Sequence, residues 1–190
     1  MSSEPQNFSA YSIRDTANRS IVQMTVEAPA FAPTPFSKDN GDGPSSIKVS
    51  RAGFVQLRIF PVVDTEAGPR ADYAVRRNAR LYADNIGLIA TTPEDEALEL
   101  KWRVRNPASQ GDAGEAVVGR LVMSPSNAGD GTVDMTIDDG TGEALTANIA
   151  PHQLFVMKHI MYSALPHITG LGSIFSPPSM GSGSAGFHIA

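Results

Sequence analysis

Apolar side chains return every third or fourth residue near the C-terminal end of the chain, at Leu154, Met157, Met161 and Leu165. That is the period of an α-helix with one apolar face. Pro151 fits a first helical turn, where no N–H is needed, and Pro166 with Gly170 marks the expected stop. A helix of about four turns over 150–165 is long enough to lie across a sheet and seal one of its faces. Most of the chain before it alternates with a period of two instead. Strands are predicted at 20–27, at 46–63 as two strands broken at Ser50-Arg-Ala-Gly53, and at 74–90 as one long strand bent at Gly87. In the second of these, Phe54, Gln56, Arg58 and Phe60 share one face, while Val55, Leu57 and Ile59 make the apolar other. Thr92-Pro-Glu-Asp-Glu96 offers a capping hydroxyl, an early proline and acids for a first turn, predicting a short helix that begins there. Strands follow at 98–105, 116–123, 133–138 and 144–149, separated by Asn106-Pro, Ala128-Gly-Asp-Gly131 and Asp139-Gly-Thr-Gly142. The order is four strands and a helix, twice. Ala28-Pro-Ala-Phe-Ala-Pro-Thr-Pro35 is too rich in proline for a helix or a central strand, and Asp39-Asn-Gly-Asp-Gly-Pro44 reads as a turn.

At 190 residues the chain is sized for one buried core. No apolar run approaches the ~20 residues of a membrane-spanning helix. With no cysteine, disulfides, thiolate metal sites and thiol nucleophiles are excluded. The termini change the picture little. Residues 1–10 are polar and read as flexible, and 1–8 carry neither an apolar targeting core nor an Arg-rich amphipathic pattern. Residues 172–190 have the Gly/Ser/Pro composition of a tail, which leaves 11–171 as the domain.

The net charge of −5 is unevenly spread: residues 47–105 hold 10 of the 15 Lys/Arg against 8 acids, while both flanks are net negative. An anionic polymer would therefore meet the middle third, through a local patch and a small number of phosphate contacts. Single strands are held by flat side chains that stack on bases, with Arg, Lys and hydroxyls on the backbone. The candidates are Lys48, Ser50, Arg51, Gln56, Arg58 and Phe60, then Tyr73, Arg76, Arg80 and Tyr82, then Lys101, Trp102, Arg103 and Arg105. The competing reading puts Phe60 and Trp102 in the core and the arginines on a solvated sheet face. His152, His159 and His167 lack close zinc spacing and a carboxylate partner, so neither a metal nor any other cofactor is expected. No nucleophile elbow and no phosphate-cradling glycine loop occurs, which argues against an enzyme.

Several separated segments carry a resemblance. The run from Leu154-Phe-Val-Met-Lys158 to Tyr162-Ser-Ala-Leu-Pro-His-Ile-Thr-Gly170 resembles the closing helix of the Whirly family of single-stranded-DNA-binding proteins. Ala10-Tyr-Ser-Ile13, Pro35-Phe-Ser-Lys38 and Ile47-Lys-Val-Ser-Arg-Ala-Gly-Phe-Val-Gln-Leu57 fit the same family in the same order, so the likeness spans residues 11 to 170. It implies an α+β fold of two packed four-stranded antiparallel sheets with two helices, a (ββββα)2 duplication. It further implies sequence-tolerant binding of single-stranded DNA in organelle genome maintenance, repair or transcription, in a plastid or mitochondrion. A homotetramer, with Leu154, Met157, Ile160, Met161 and Leu165 at the oligomer contact, is implied as well. Where the plant proteins carry Lys-Gly-Lys-Ala, this chain has Arg14-Asp-Thr-Ala-Asn-Arg-Ser20, which leaves Arg14 and Arg19 to supply the charge. Two alternatives stand beside this expectation: RNA binding of the related mitochondrial guide-RNA-binding type, and a structural subunit of a large assembly that no longer binds nucleic acid.

Overall fold

The computed structural model describes residues 9–33, 47–103 and 118–170. In chain order the elements are β1 (Ser9–Asp15), β2 (Ser20–Glu27), β3 (Ala30–Pro33), β4 (Ile47–Arg51), β5 (Phe54–Thr65), β6 (Gly68–Ala71), β7 (Arg77–Leu81) and α1 (Ala83–Thr91), then β8 (Leu98–Arg103), β9 (Val118–Pro125), β10 (Val133–Asp138), β11 (Leu145–Ile149) and α2 (Pro151–Ile168). All pairings are antiparallel. The first sheet runs β1-β2-β5-β7, with β6 added beside the far end of the long β5. The second runs β11-β10-β9-β8, and β3 with β4 makes a separate two-stranded ribbon. The fold is α+β, two four-stranded sheets with two helices, as the repeated order of elements implies. The turn at 39–44, the loop at 106–107, the segment Pro35-Phe-Ser-Lys38, residues 1–8 and the tail at 172–190 lie outside the described residues.

Alternation decides which side of each strand is buried. Val55, Leu57 and Ile59 of β5 pack inward with Val22 and Met24 of β2, and Leu121, Met135 and Ile137 do the same in the second sheet. Helix α2 closes this core with Leu154, Met157, Met161, Ala164 and Ile168. At its C-terminal end the backbone of Ile168 lies so close to Gly53 that a Cβ there would collide with it. Glycine at the end of the Ser50-Arg-Ala-Gly53 break thus leaves room for the helix end.

The structure corrects several sequence expectations. The segment 74–90 is not one strand: β7 ends at Leu81 and α1 begins at Ala83. The Asn85 side-chain oxygen accepts the Tyr82 N–H at 3.0 Å, a helix-start contact, and Ile86 and Ile89 bury at a spacing of three. Thr92 ends that helix instead of starting another. The Thr91 and Thr92 hydroxyls donate to the Gly87 and Leu88 carbonyls at 2.9 and 2.7 Å, and Lys158 of α2 donates to the Thr92 carbonyl at 3.1 Å. Pro166 does not stop α2, which continues to Ile168; in a last turn the proline costs a single intrahelical bond, on the exposed side. The strand that completes the first sheet is β1, drawn partly from residues read as loose, whereas β4 pairs with β3 alone.

The oligomer assignment also changes. Leu154, Met157 and Met161 are buried inside the protomer, and Ile160 and Leu165 pack partly against the same core. The face of α2 turned to solvent instead carries Phe155, 68% exposed, and Tyr162, 63% exposed, with His159 stacked on Phe155 at 6.4 Å between ring centroids.

Two buried carboxylates tie the sheets together. Asp139, 7% exposed at the end of β10, accepts the Asn78 N–H of β7 at 2.9 Å and the Thr141 hydroxyl at 2.6 Å. Beside it lies Arg77, itself 7% exposed, whose Nε–H donates to the Glu143 carbonyl at 2.7 Å. Asp15 at the other end accepts the Asn148 N–H of edge strand β11 at 2.7 Å, and it also accepts the Ala17 N–H of the β1–β2 turn at 2.9 Å. Burial pushes the Asp139 carboxyl up, but hydrogen bonds from Thr141 and Asn78 outweigh it and hold the group below its ordinary 3.8.

Asp139→Ala should lower unfolding stability by about 3 kcal/mol, read from a urea midpoint, because it leaves Arg77 buried without its anion. A folded-state pKa below the unfolded one contributes stability in full above the unfolded value, and that contribution is lost as pH falls through the folded one. Stability of Asp139→Asn should therefore fall less steeply than wild type below about pH 4. Leu154→Ala should cost about 3 kcal/mol through the cavity left behind. Met161→Asp should abolish the far-UV and near-UV dichroism of the protomer; a folded monomer would place Met161 outside the core.

Candidate nucleic-acid interface

With the apolar side of the first sheet turned inward, its outer side collects the polar positions of adjacent strands. Register sets Gln23, Arg58 and Asn78 in one row across β2, β5 and β7, and Thr25, Gln56 and Arg80 in the next. Arg58 donates to the Gln56 side-chain oxygen at 2.6 Å and to that of Gln23 at 3.4 Å. Phe54 is buried beneath two guanidiniums, Arg80 at 5.0 Å and Arg51 at 5.9 Å from its centroid, and the half-exposed Tyr82 ring meets it edge-on at 6.0 Å. Such contacts orient the cations while leaving their charge in place.

A cleft of about 490 Å³ opens where this face reaches the second sheet. Asn78, Arg80, Tyr82 and Asn85 line one side, and Lys101, Trp102 and Arg103 of edge strand β8 line the other, with Asp139 and Thr141 at its base. Trp102 is half-buried over Gly119, where any Cβ would overlap the indole, so the small residue on β9 sets the ring in place. Lys101 pairs with Glu99 at 2.9 Å on the exposed side of β8. Among the described residues no carboxylate lies within ion-pair distance of Arg51, Arg76, Arg80 or Arg103.

The structure therefore brings Gln56, Arg58, Arg76, Arg80 and Tyr82 to one face, with Lys101 and Arg103 across the cleft from it. Others fall elsewhere. Phe60 is 3% exposed, covered edge-on by Tyr73 at 5.0 Å, and offers no ring to a base; this corrects its assignment as a binding residue. Ser50 donates its hydroxyl to the Ala30 carbonyl at 3.0 Å within the β3–β4 ribbon. Lys48 is on β4, paired with Ala32; its side chain and Arg105 lie outside the described residues. Arg14 and Arg19 line a separate depression of about 380 Å³ at the β1–β2 turn, where Arg19, in a left-handed conformation at φ 48°, is neutralised by Asp64 at 2.6 Å. Its guanidinium pKa is raised by that bond. Sequence reasoning missed Asn78 and Asn85, whose amides line the cleft, and the Arg77–Asp139 pair beneath it. The Asp139-Gly-Thr-Gly turn signal was visible, but its partner lies 61 residues away.

No protein-family model and no curated protein matches the chain. Among solved structures it is similar to the plant transcriptional regulator PBF-2, at 19% identity and a TM-score of 0.67, with 92% of this chain and 99% of that one covered. It is similar to WHY3 from Arabidopsis thaliana at 18% identity and a TM-score of 0.68, covering 90% and 94% of the two chains. For WHY1 from Arabidopsis thaliana the values are 18% and 0.67, covering 90% and 91%. These are Whirly proteins, and the resemblance read from the segments at 10–13, 47–57 and 154–170 holds across the architecture: this chain has the Whirly fold.

Proposed function

We propose that the chain binds single-stranded nucleic acid, with DNA as its principal ligand, through the cleft between β7 and β8 and the sheet face beside it. The observation that carries this reading is that Arg80 and Arg103, with no ion-pair partner among the described residues, share with Tyr82 and Trp102 one opening that both sheets line. The cleft falls within the ~300–1,000 Å³ typical of ligand sites. Trp102 and Tyr82 supply flat surfaces for bases, and Arg80, Lys101 and Arg103 supply charge for the backbone. Hydrogen-bond readout of bases is sparse here, since the Asn78 amide is engaged by Asp139 at 3.3 Å, and this favours sequence-tolerant binding. The chain acts as a binding module and not as an enzyme. Its likeness to a plant transcriptional regulator supports a role in transcription; we place that role, with genome maintenance beside it, in a plastid or mitochondrion. The protein works as a homo-oligomer, a tetramer, joined through the Phe155 and Tyr162 face of α2.

Four measurements check this reading. Arg80→Ala and Lys101→Ala should each weaken binding of a labelled oligothymidylate and flatten the plot of log affinity against log salt by about 0.7. Tyr82→Ala should cost about 1–3 kcal/mol with little change in that slope. Duplex DNA should bind more weakly than either single strand, and RNA binding tighter than DNA would move the function to RNA. The double variant Phe155→Ser with Tyr162→Ser should sediment as a smaller species with unchanged thermal unfolding of the protomer. An unaltered mass would take α2 out of the interface.

A further inference from the structure

Arg58 sits one strand in from the cleft wall, and its neighbours are unusual for a half-buried cation. Both side-chain acceptors that hold it, Gln56 at 2.6 Å and Gln23 at 3.4 Å, are neutral amides. An arginine fixed by carboxylates is already neutralised, whereas one fixed by amide oxygens is oriented with its charge intact. A second cation is added beside it. Ile59 pairs with Arg77, so Arg76 lies across from Phe60 on the outer face, diagonal to Arg58. Burial lowers the Arg58 pKa, Arg76 lowers it further, and Glu27, across from Phe54 on β2, opposes them. Juxtaposed like charges cost stability. With their oxygens turned to Arg58, the two glutamine amides leave N–H donors to the same face. The result is a group of donors with no carboxylate in ion-pair contact among the described residues, adjoining Arg80 through the Gln56–Arg80 register pair.

We propose that Arg58 and Arg76 form a seat for a phosphoryl oxyanion on the outer face of the first sheet, oriented by Gln23 and Gln56. The guanidinium fork of Arg58 matches two oxygens of one phosphoryl group, and Arg76 supplies the second charge. The seat extends the nucleic-acid reading by giving a strand leaving the cleft a path across β7 onto β5. Its own ligand is the oxyanion, so it stands or falls separately. The phosphoryl group comes either from within a strand or from a 5′ end.

Inorganic pyrophosphate, titrated against the full chain while arginine Nε–H resonances are followed, should shift Arg58 and Arg76 saturably. Arg120, paired with Asp138 at 3.4 Å on the other sheet, serves as the control and should not move. In Arg58→Gln the Arg76 shift should need about tenfold more pyrophosphate, and Arg58→Lys, which keeps charge without the fork, should lie between the two. Shifts at Arg58 and Arg76 no larger than at Arg120 overturn the seat; Trp102 fluorescence quenched by oligothymidylate in the same sample would then leave the nucleic-acid reading intact. Pyrophosphate binding with silent Trp102 would keep the seat and remove that reading. Oligothymidylates with a 5′-phosphate or a 5′-hydroxyl separate the two sources. A preference for the phosphate that Arg58→Gln abolishes assigns a strand end, and an equal loss of about tenfold for both assigns an internal phosphodiester. No loss for either overturns the proposal.

Discussion

The arrangement depends on how two sheets that share one apolar core are kept from sliding over each other. Apolar packing is non-directional and tolerates rotation; buried carboxylates do not. Asp139 grips the backbone and amide of Asn78 on β7 while capping its own turn, so the edge of the first sheet is fixed against the end of β10. Asp15 performs the corresponding task at β11. Because the cleft lies between β7 and β8, the first of these ties, which forms part of its lining, sets the spacing of the cations above it.

The second constraint is helix α2. It closes the core with one face, presses its C-terminal end against Gly53, and so shapes the corner from which Arg51 and Phe54 project. Phe54 in turn supports Arg51 and Arg80. A contiguous chain of contacts therefore runs from the helix through the β4–β5 corner to the mouth of the cleft. The opposite face of α2 bears Phe155 and Tyr162, so the helix that completes the fold also presents two exposed aromatic side chains.

Charge is organised by strand alternation more than by composition. A protein of net charge −5 builds a positive face because β5 and β7 place Arg58 and Arg80 on one side of the sheet, with Arg76 just before β7, and apolar residues on the other. Several acids are matched individually, Glu99 to Lys101, Asp64 to Arg19 and Asp138 to Arg120, and Glu27 stands at the edge of the positive face. Local potential at the cleft is thus decoupled from the charge of the whole molecule.

By itself the sequence determined the alternating strands, the apolar stripe of α2 and the side of β5 that enters the core, since each follows from a local period of two or 3.6. The positions of the arginines along β5 and β7 were legible for the same reason. Between Leu81 and Thr92 local signals conflicted: apolar residues at 86, 88 and 89 satisfy both periods, and only burial of Ile86 and Ile89 against the rest of the core decided for helix. The tertiary structure alone decided that Phe60 is covered by Tyr73, that Leu154, Met157 and Met161 serve the protomer's interior, and that Asp139 reaches Asn78. An apolar residue looks the same in sequence whether its partner is its own sheet or another chain, and a hydrogen bond across 61 residues leaves no periodic trace.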